Sequence, residues 1–361
     1  MNMKIGIDIS QVIYQTGVST YTANLVENLL RLDRKNEYLL FGGTLRRKED
    51  FKKFSKNLKG NFTEKYVSFP PTLANILWNR FHILKAESFV GKVDVFHSSD
   101  WTQPPTDAFK VTTIHDLAPL IYPKLTRPEV VSVHKAKIKW VIKEVDRIIV
   151  PSESTKKDMI SMKADEKKIS VIPESVDSDF KTSEEGDIKK TMETLKIEKP
   201  YLLSIGVGPR KNTEGIIEAY KLLKSEYNYD LVIVGYDHYG YGEWNGVTFT
   251  GHIDKFDLIN LYSGAEMLVY PSYYEGFGLP ILEAFACECP VVTSNVSSLP
   301  EVAGNAVIYV DPDVTESIVQ GIKDIKGRKE ILIKEGKNRL KKYSWENTAR
   351  MTLSIYEEAK L

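Results

Sequence analysis

The sequence predicts an α/β protein of two Rossmann-like domains, each a doubly wound parallel sheet. Short apolar runs alternate with helical stretches, which is the pattern of parallel strands joined by crossover helices. With 361 residues the chain is too long for one ordinary core, and its apolar runs fall into two series. We therefore expect two domains facing each other across a cleft, with ligands at the carboxyl ends of the strands.

The first series of predicted strands lies in the N-terminal half of the chain. It comprises residues 4–9, 38–42, 93–97, 111–114 and 147–150. After the first strand, apolar residues recur at helical spacing over residues 21–32. This stretch is the predicted first crossover helix, with Ser19 or Thr20 as its cap.

The second series begins at residue 201 and predicts another sheet of the same kind. It comprises residues 201–206, 230–235, 247–250, 267–270, 290–293 and 306–310. Between the two series, residues 171–177 and the charged stretch after them lose apolar periodicity, which places the domain boundary there. The predicted domains are residues 1–175 and 176–344. An amphipathic helix at residues 345–361 could pack back on the first domain or on the second.

The composition excludes several classes of protein. The 49 basic and 49 acidic residues balance, which argues against a binder of duplex nucleic acid. Cys287 and Cys289 are separated by one residue and make a poor disulfide framework. No apolar run approaches the ~20 residues that span a bilayer, and the N-terminus has no signal-peptide pattern. We therefore expect a cytoplasmic protein.

The strongest motif follows the predicted strand at residues 267–270. Glu275 and Glu283 flank a glycine turn and the start of a helix. Gly276 and Gly278 allow the backbone to approach a ligand, and Pro280 suits the first helical turn, where its missing N–H costs nothing. The two carboxylates are therefore placed to accept hydrogen bonds from hydroxyls at two ends of one elongated ligand.

The backbone of this motif predicts an anion site. The amides of Phe277, Gly278 and Leu279 lie at a helix N-terminus, where N–H groups and the helix dipole favour negative charge. A polyol attached to a phosphate would satisfy these amides and both glutamates. The alternative is a purely structural role, in which the glycines make a tight turn and Glu283 complements the helix dipole.

The stretch from Tyr273 to Glu283 resembles the paired-glutamate signature of glycosyltransferase family 4. Residues 289–304 and the opening residues 5–10 are also similar to that family, so the resemblance runs nearly end to end. It implies the GT-B fold and the transfer of a sugar from a nucleotide donor with retention of configuration. By this resemblance, Glu275 would bind sugar hydroxyls near the reacting carbon, and Glu283 would bind the ribose.

The loop after the first strand of the second domain carries two cations. Gly206 ends the strand, and Arg210 and Lys211 precede the predicted helix at residues 213–223. Fixed cations there can stabilise a departing diphosphate without a metal. The resemblance implies the same use of this basic pair, although many members have arginine where this sequence has Val207. An arginine and lysine in a loop are otherwise usually solvated surface.

His115 and Asp116 end an apolar strand of the first domain. An imidazole there can hydrogen-bond a sugar hydroxyl or a phosphate, and the carboxylate can orient it or contact the acceptor. The pair resembles the His-Asp motif of the family. The alternative makes Asp116 the cap of the next turn and His115 a half-buried packing residue.

Two further loops are weaker candidates. Gly17 lies between the first strand and its helix and could approach the donor diphosphate or the acceptor, but a full G-x-G-x-x-G spacing is missing. The resemblance suggests that the loop beginning at Gly251, including Ile253, holds the nucleotide base through backbone groups. His252 and Lys255 are expected to be ordinary loop residues.

The sequence thus predicts a retaining hexosyltransferase that needs no metal and no cofactor. Its partners would be a nucleotide-sugar donor and a glycan or lipid-linked acceptor of surface-polysaccharide synthesis, with mannose favoured over glucose by the resemblance. The alternatives are a nucleotide-sugar epimerase of the same fold and a non-catalytic sugar-nucleotide binder. The binder would be expected to lack Glu275, Lys211 or His115, and all three are present.

Two basic segments raise the question of a membrane surface. Residues 130–145 carry His134, Lys135, Lys137, Lys139 and Lys143 around an aromatic residue, and residues 46–59 are also basic. Such segments could attract anionic lipid or a lipid-diphosphate acceptor at the inner membrane face. Solvated helix faces are the commoner explanation.

Overall fold

The computed structural model describes residues 2–14 and 16–360, which form two compact units. Unit 1 runs to Glu174 and resumes at Ser344, and unit 2 runs from Ser175 to Tyr343. The domain boundaries predicted from the sequence lie one residue later at both points where the chain passes from one unit to the other. Residues 1, 15 and 361, which the predicted domains and loops include, lie outside the described part of the chain.

Unit 1 is built on a seven-stranded sheet in which every pairing is parallel and the order is β3-β2-β1-β4-β5-β6-β7. The strands are β1 (Lys4–Asp8), β2 (Glu37–Gly43), β3 (Phe62–Val67), β4 (Val95–Ser98), β5 (Phe109–Thr113), β6 (Arg147–Val150) and β7 (Ile169–Val171). Its helices are α1 (Gly17–Leu32), α2 (Lys48–Ser55), α3 (Pro71–Ala74) with a π-helical turn Asn75–Arg80, α4 (Glu87–Val90), α5 (Ala118–Ile121), α6 (Pro128–Glu144) and α7 (Glu153–Ser161).

Unit 2 is built on a six-stranded parallel sheet of order β10-β9-β8-β11-β12-β13. The strands are β8 (Tyr201–Ile205), β9 (Asp230–Val234), β10 (Val247–Phe249), β11 (Met267–Tyr270), β12 (Val291–Ser294) and β13 (Ile308–Val310). The helices are α8 (Glu185–Thr194), α9 (Thr213–Leu223), α10 (Lys255–Gly264), α11 (Leu279–Ala286), α12 (Leu299–Ala303), α13 (Thr315–Ile325) and α14 (Lys329–Leu340).

Both sheets are buried on two faces, as a doubly wound sheet requires. In β8 the neighbours Leu202 and Leu203 are both buried, yet they belong to different hydrophobic clusters. Successive side chains of a strand point to opposite faces, so apolar side chains cover each face of the sheet. This explains why the strands read as short, continuous apolar runs in the sequence.

The last helix, α15 (Trp345–Glu357), packs in unit 1. It lies against α1, and its buried Trp345 and Tyr356 join the cluster that contains β1 residues. Tyr356 also contacts His97 of β4, with 2.6 Å between the hydroxyl and Nδ1. The predicted helix at residues 345–361 therefore packs with the first sheet, and it ends as an α-helix at Glu357.

Several elements differ from the sequence prediction. Helix α1 starts at Gly17, and its cap is Thr16, whose side chain accepts from the amide of Ser19. The predicted cap of Ser19 or Thr20 was wrong because the first turn is polar and carries no apolar spacing. Strands β3 and β7 were missed, and part of the charged stretch 181–199 forms α8 instead of a linker.

Within the described residues, no helix combines the length and the apolar content needed to cross a bilayer. Cys287 and Cys289 are free thiols, and both are buried.

Candidate active site

The strand order of unit 2 reverses direction between β8 and β11. From β8 the chain proceeds outward to β9 and β10, and it then returns to place β11 on the other side of β8. The loops after β8 and β11 therefore diverge and leave a crevice at the carboxyl edge, which is where open α/β sheets bind ligands. Arg210, Lys211 and Glu275 all lie in these two loops.

The loop after β8 folds back over its own start. Gly206 has φ of +84°, and a Cβ built on it would lie 3.0 Å from Cε of Lys211. The amide of Lys211 donates to the carbonyl of Gly208 at 3.0 Å. Thr213 closes the turn, because its hydroxyl accepts from the amide of Gly208 at 3.0 Å. The Lys211 side chain is thereby held across the end of β8.

Both cations of this loop bind the carboxylate of Glu275. Lys211 Nζ is 2.7 Å from Oε1, and Arg210 Nη1 is 2.8 Å from Oε2. The side chains of Glu275, Lys211 and Arg210 are 10%, 17% and 29% exposed. Burial alone would raise the pKa of Glu275, but the charges and hydrogen bonds of Lys211 and Arg210 outweigh it and lower the pKa to about 2. The three groups carry a net positive charge of one at neutral pH.

Further contacts fix the three groups. Lys211 Nζ also donates to the hydroxyl of Tyr270, the last residue of β11, at 2.6 Å. Arg210 donates to the carbonyl of Tyr274 at 2.6 Å. The hydroxyl of Ser298 donates to the carbonyl of Glu275 at 2.8 Å. The cations are therefore held in place before any ligand arrives.

The N-terminus of α11 follows Glu275 directly. Gly278 caps the helix in the left-handed region with φ of +106°, and a Cβ there would lie 2.8 Å from Leu299. Among the described residues, no group accepts a hydrogen bond from the buried amides of Phe277 and Gly278. Leu279 is the first residue of the helix and Gly276 lies in the turn before it. Donors at a helix N-terminus suit an anion.

Glu283 lies in a different environment from Glu275. Its Oε2 accepts from the hydroxyl of Tyr262 at 2.7 Å. Burial raises the pKa of Glu283 to about 7, although the Tyr262 hydrogen bond and the charge of Lys211 act in the opposite direction. The two glutamates of one motif thus differ strongly in their tendency to ionise.

The loop after β10 lies at the same edge of the unit 2 sheet, beyond β9. Ile253 is partly buried against the core of this unit, and Asp254 caps α10 by accepting from the amide of Asp257. Gly251 has φ of +68° and packs under the ring of Tyr236, which a Cβ would approach to 2.9 Å. The predicted base-binding loop therefore presents backbone beside an exposed aromatic ring.

In unit 1, His115 is hydrogen-bonded to a residue that the sequence analysis did not select. Its Nδ1 lies 2.8 Å from Oε1 of Glu174, which follows β7. Asp116 accepts from the amide of Ala118 at 2.8 Å, but the N-cap residue of α5 is Leu117, which has no side-chain cap. His115 is paired with a buried carboxylate.

A buried lysine of unit 1 was misread from the sequence. Lys137 was grouped with the surface cations of α6, but its side chain is 2% exposed, and Nζ donates to the carbonyl of Asp100 at 2.8 Å. Burial lowers the pKa of Lys137 to about 8, against the charges of Asp100 and Asp8. The only hint of this burial in the sequence was that Asp100 follows β4. The local pattern does not distinguish Lys137 from the other lysines of α6.

Gly17 is the first residue of α1 and is exposed. A Cβ there would have no atom within 4 Å. The space immediately around Gly17 is therefore open. Among the described residues, no group of three or more His, Cys, Asp or Glu side chains is arranged to hold a metal ion.

Comparisons with known proteins agree on one family. The Glycosyltransferase Family 4 model matches residues 15–180, and the model for glycosyl transferases group 1 matches residues 187–344. O-antigen chain mannosyltransferase B of Escherichia coli is 31% identical over 284 residues, which cover 73% of this chain and 74% of that protein. The chain belongs to glycosyltransferase family 4. This confirms the family and the enzyme class that the motifs indicated.

Two further matches, one to a related sequence and one to a solved structure, add to this result for the family 4 glycosyltransferase. The O-antigen chain mannosyltransferase RfbU of Salmonella typhimurium is 30% identical over 260 residues, which cover 69% of each chain. The crystal structure of Anabaena HepE in complex with UDP and glucose matches with a TM-score of 0.72 at 14% identity, covering 99% of this chain and 100% of that one. The glycosyltransferase is thus related to O-antigen mannosyltransferases, and its fold is the predicted GT-B type.

Proposed function

We propose that this glycosyltransferase moves a hexose from a nucleoside-diphosphate sugar to a glycan or lipid-linked acceptor, with retention of configuration and without a metal. The observation that carries the proposal is the pairing of Arg210 and Lys211 on Glu275 at the reversal point of the unit 2 sheet. Two fixed cations there, with the amides of Phe277 and Gly278 nearby in sequence, supply what a diphosphate needs.

The proposed reaction breaks the bond between the anomeric carbon and the diphosphate oxygen. The diphosphate leaves with that electron pair, and Arg210 and Lys211 stabilise the charge that develops on it. The acceptor oxygen forms the new bond on the same face of the sugar, and its proton passes to the leaving phosphate. Glu275 keeps the two cations in position and accepts a hydrogen bond from a sugar hydroxyl, while Glu283 accepts a hydrogen bond from the ribose. His115 and Asp116 orient the donor sugar or the acceptor.

Mannose is the favoured sugar, and glucose is the alternative. Two relatives at about 30% identity are named as O-antigen mannosyltransferases, whereas the structural neighbour HepE was solved with UDP and glucose. These names support a nucleoside-diphosphate hexose as the donor and surface-polysaccharide synthesis as the process. Ile253 and the backbone after Gly251 are the proposed contacts of the base, and the exposed amide end of α1 at Gly17 is a proposed contact of the acceptor or the diphosphate.

The first test is a panel of nucleoside-diphosphate hexoses, screened by thermal shift and then by transfer. A ligand at ~100 times its dissociation constant adds about 2.7 kcal/mol of stability, so the correct donor should stand out. We expect transfer in excess chelator, an α-linked product from an α-linked donor by NMR, and a large loss of activity in Glu275→Ala. Inversion, or full activity of Glu275→Ala, would contradict the proposal. Isomerised donor in the absence of acceptor would identify an epimerase instead.

We also propose that the protein works in the cytoplasm, peripherally on the inner membrane face. Phe81 and Ile83 are 67% and 52% exposed in a loop after the π-helical turn. The intervening His82 stacks on Trp140 at 3.7 Å, and Lys139 and Lys143 lie 5.0 Å from that ring. Exposed apolar side chains beside cations suit an anionic lipid surface.

Sedimentation with anionic vesicles at low and high salt tests this membrane proposal. Wild-type protein should pellet at low salt, and the double variant Phe81→Ser, Ile83→Ser should not. Ile331, which is 55% exposed on α14, provides the control Ile331→Ser, which should bind like the wild type. Equal pelleting of all three proteins, or no salt-sensitive binding at all, would reject the membrane surface.

A further inference from the structure

We infer that Glu174 is a positioning residue, which holds Nδ1 of His115 and so presents Nε2 of that ring to an oxygen of the bound substrate. This inference rests on the proposed function, because it takes His115 to contact donor or acceptor. The distance between Nδ1 and Oε1 is 2.8 Å, and the side chains are 11% and 6% exposed. Glu174 is the last residue of unit 1 before the chain enters unit 2.

The contact between the two residues is not a by-product of strand pairing. His115 follows β5 and Glu174 follows β7, and β6 lies between these strands in the sheet. Strands two places apart are separated by about 10 Å. The segments beyond the strand ends must therefore carry the side chains toward each other. Such an arrangement joins two separate segments at the edge where ligands of a parallel sheet bind.

The other ring nitrogen of His115 is the second observation. Nε2 is buried, and no described group of the protein hydrogen-bonds to it. A buried polar atom without a partner is unfavourable, so a ligand atom that bonds to it is stabilising. Tyr21 fixes the ring from the side, with centroids 4.4 Å apart and an angle of 80° between the planes. His115 also lines a cavity of about 10 Å³ together with Asp8 and Asp100, which has room for one oxygen atom.

The charges around His115 favour a doubly protonated ring. Burial opposes the charge, but the hydrogen bond and charge of Glu174, followed by the charges of Asp100 and Asp116, outweigh it and raise the pKa of His115. Lys137 and His134 of α6 act on the same Asp100, and burial lowers the pKa of His134. His97 of β4, Tyr21 of α1 and Asp8 of β1 are the other titratable groups that line the cavity with His115 and Asp100. With Nδ1–H bound to Glu174, the protonated Nε2–H is a donor for a phosphate or hydroxyl oxygen.

The proposal predicts a pH dependence with a definite sign. Because the folded pKa of His115 is raised, the protonated ring persists to higher pH and is lost as the pH rises through that pKa. In Glu174→Gln the amide keeps the shape and removes the charge. The pKa of His115 should fall, because the charge of Glu174 helps to raise it, and the basic limb of the kcat/KM profile should move to lower pH with it. At a fixed pH on that limb, Glu174→Gln should therefore lose activity relative to the wild type.

A second variant separates position from charge. Glu174→Asp keeps the negative charge but withdraws the carboxylate by about 1.5 Å. We expect kcat to fall while KM for the donor and the basic limb stay close to the wild type. The control is Glu144→Gln, which removes the charge of another carboxylate that lies 2.8 Å from a histidine, between Oε1 of Glu144 at the end of α6 and Nε2 of His82. This control should leave the pH profile unchanged.

NMR titration of labelled histidine provides a readout that needs no activity. A lowered pKa of His115 in Glu174→Gln, together with the shifted basic limb, supports the inference. An unchanged pKa of His115 would overturn it. The inference would also be overturned if the pKa of His115 fell in Glu174→Gln while the pH profile of kcat/KM stayed the same and kcat was unchanged in Glu174→Asp. The pair between His115 and Glu174 would then be structural only. Failure of the wild type to transfer sugar would reject the proposed function instead, and the NMR result would remain to judge the pair itself.

Discussion

The two sheets reverse their strand order in the same way, yet they place different charges at that edge. In unit 2, Lys211 and Arg210 share Glu275 with side chains that are 17% and 29% exposed. In unit 1, Lys137 is 2% exposed beneath Asp100. A partly exposed cation can accept an incoming anion, whereas removing a buried charge from its partner costs several kcal/mol. The shared topology thus gathers charges at the same edge of both sheets, and the cations of unit 2 are more exposed there than Lys137 of unit 1.

The same contrast appears between the two glutamates of one motif. Two cations lower the pKa of Glu275 to about 2, whereas burial beside Tyr262 raises that of Glu283 to about 7. The residues are eight positions apart, but they belong to different surroundings. The surroundings thus make Glu275 a stronger acid than Glu283.

The largest expected effect is on turnover in Lys211→Met. If the exposed pair stabilises the departing diphosphate, kcat should fall about 10²- to 10³-fold, which is the loss typical of one group that stabilises developing charge. Lys221→Met is the matched control, because Lys221 pairs with Glu218 at 2.7 Å on α9 of the same unit. If steady-state kinetics show equal losses of kcat in Lys211→Met and Lys221→Met, the contrast between the exposed and the buried cations is wrong.

Replacing the buried lysine of unit 1, Lys137, should lower the stability of the protein. Lys137→Met leaves Asp100 and Asp8 without their buried cation, which should cost about 3 kcal/mol and lower the unfolding midpoint by roughly 5–10 °C. Differential scanning calorimetry measures this midpoint. Lys211→Met should change it much less. A Lys137→Met protein as stable as the wild type would show that the buried charge is dispensable.

The third prediction concerns the pH dependence of stability through Glu283. Because its folded pKa is raised, the folded protein binds more protons than the unfolded chain between pH 4.5 and about 7, and stability is lost as the pH rises through that window. Glu283→Gln keeps an acceptor for Tyr262 and removes the buried charge. Its melting temperature should exceed that of the wild type at pH 8 and match it at pH 4.5. Parallel melting curves across this range would contradict the raised pKa.

The smallest expected effect is that of Tyr270→Phe. This change removes the hydroxyl that accepts from Lys211 Nζ, while the carboxylate of Glu275 remains. The loss of one hydrogen bond suggests a decrease in kcat of about fivefold. Tyr201→Phe is the control, because its buried hydroxyl donates to the carbonyl of Leu261 in the same unit. An effect as large as that of Lys211→Met would mean that Tyr270 has a role of its own.

Much of the unit 2 site could be predicted because its residues follow strands that read clearly. Glu275 and α11 are contiguous in sequence, β11 is fully apolar, and β8 is apolar except for Ser204. Lys211 and Glu275 are 64 positions apart, but both come directly after strands that are neighbours in the sheet. The carboxyl edge of a doubly wound sheet therefore brings them to one place.

The unit 1 cluster could not be predicted in the same way. Glu174 follows β7, which has only three residues and gives no periodic signal. Its contact with His115 depends on the order of β5, β6 and β7, which no local pattern records. Lys137 lies in a helix with several solvent-facing lysines, and only packing shows that it is buried. Strand β3 was missed for a related reason, since it is an edge strand with a largely exposed, polar centre.

The most direct test of the central claim is phosphorus NMR of a nucleoside diphosphate bound to the enzyme. If Arg210 and Lys211 hold the leaving group, the terminal phosphate should titrate at a lower pH when bound than when free, because nearby cations favour its charged form. Lys211→Met should return the titration toward that of the free nucleotide, and Lys221→Met should not. A bound terminal phosphate that titrates like the free one in wild-type enzyme would contradict the account.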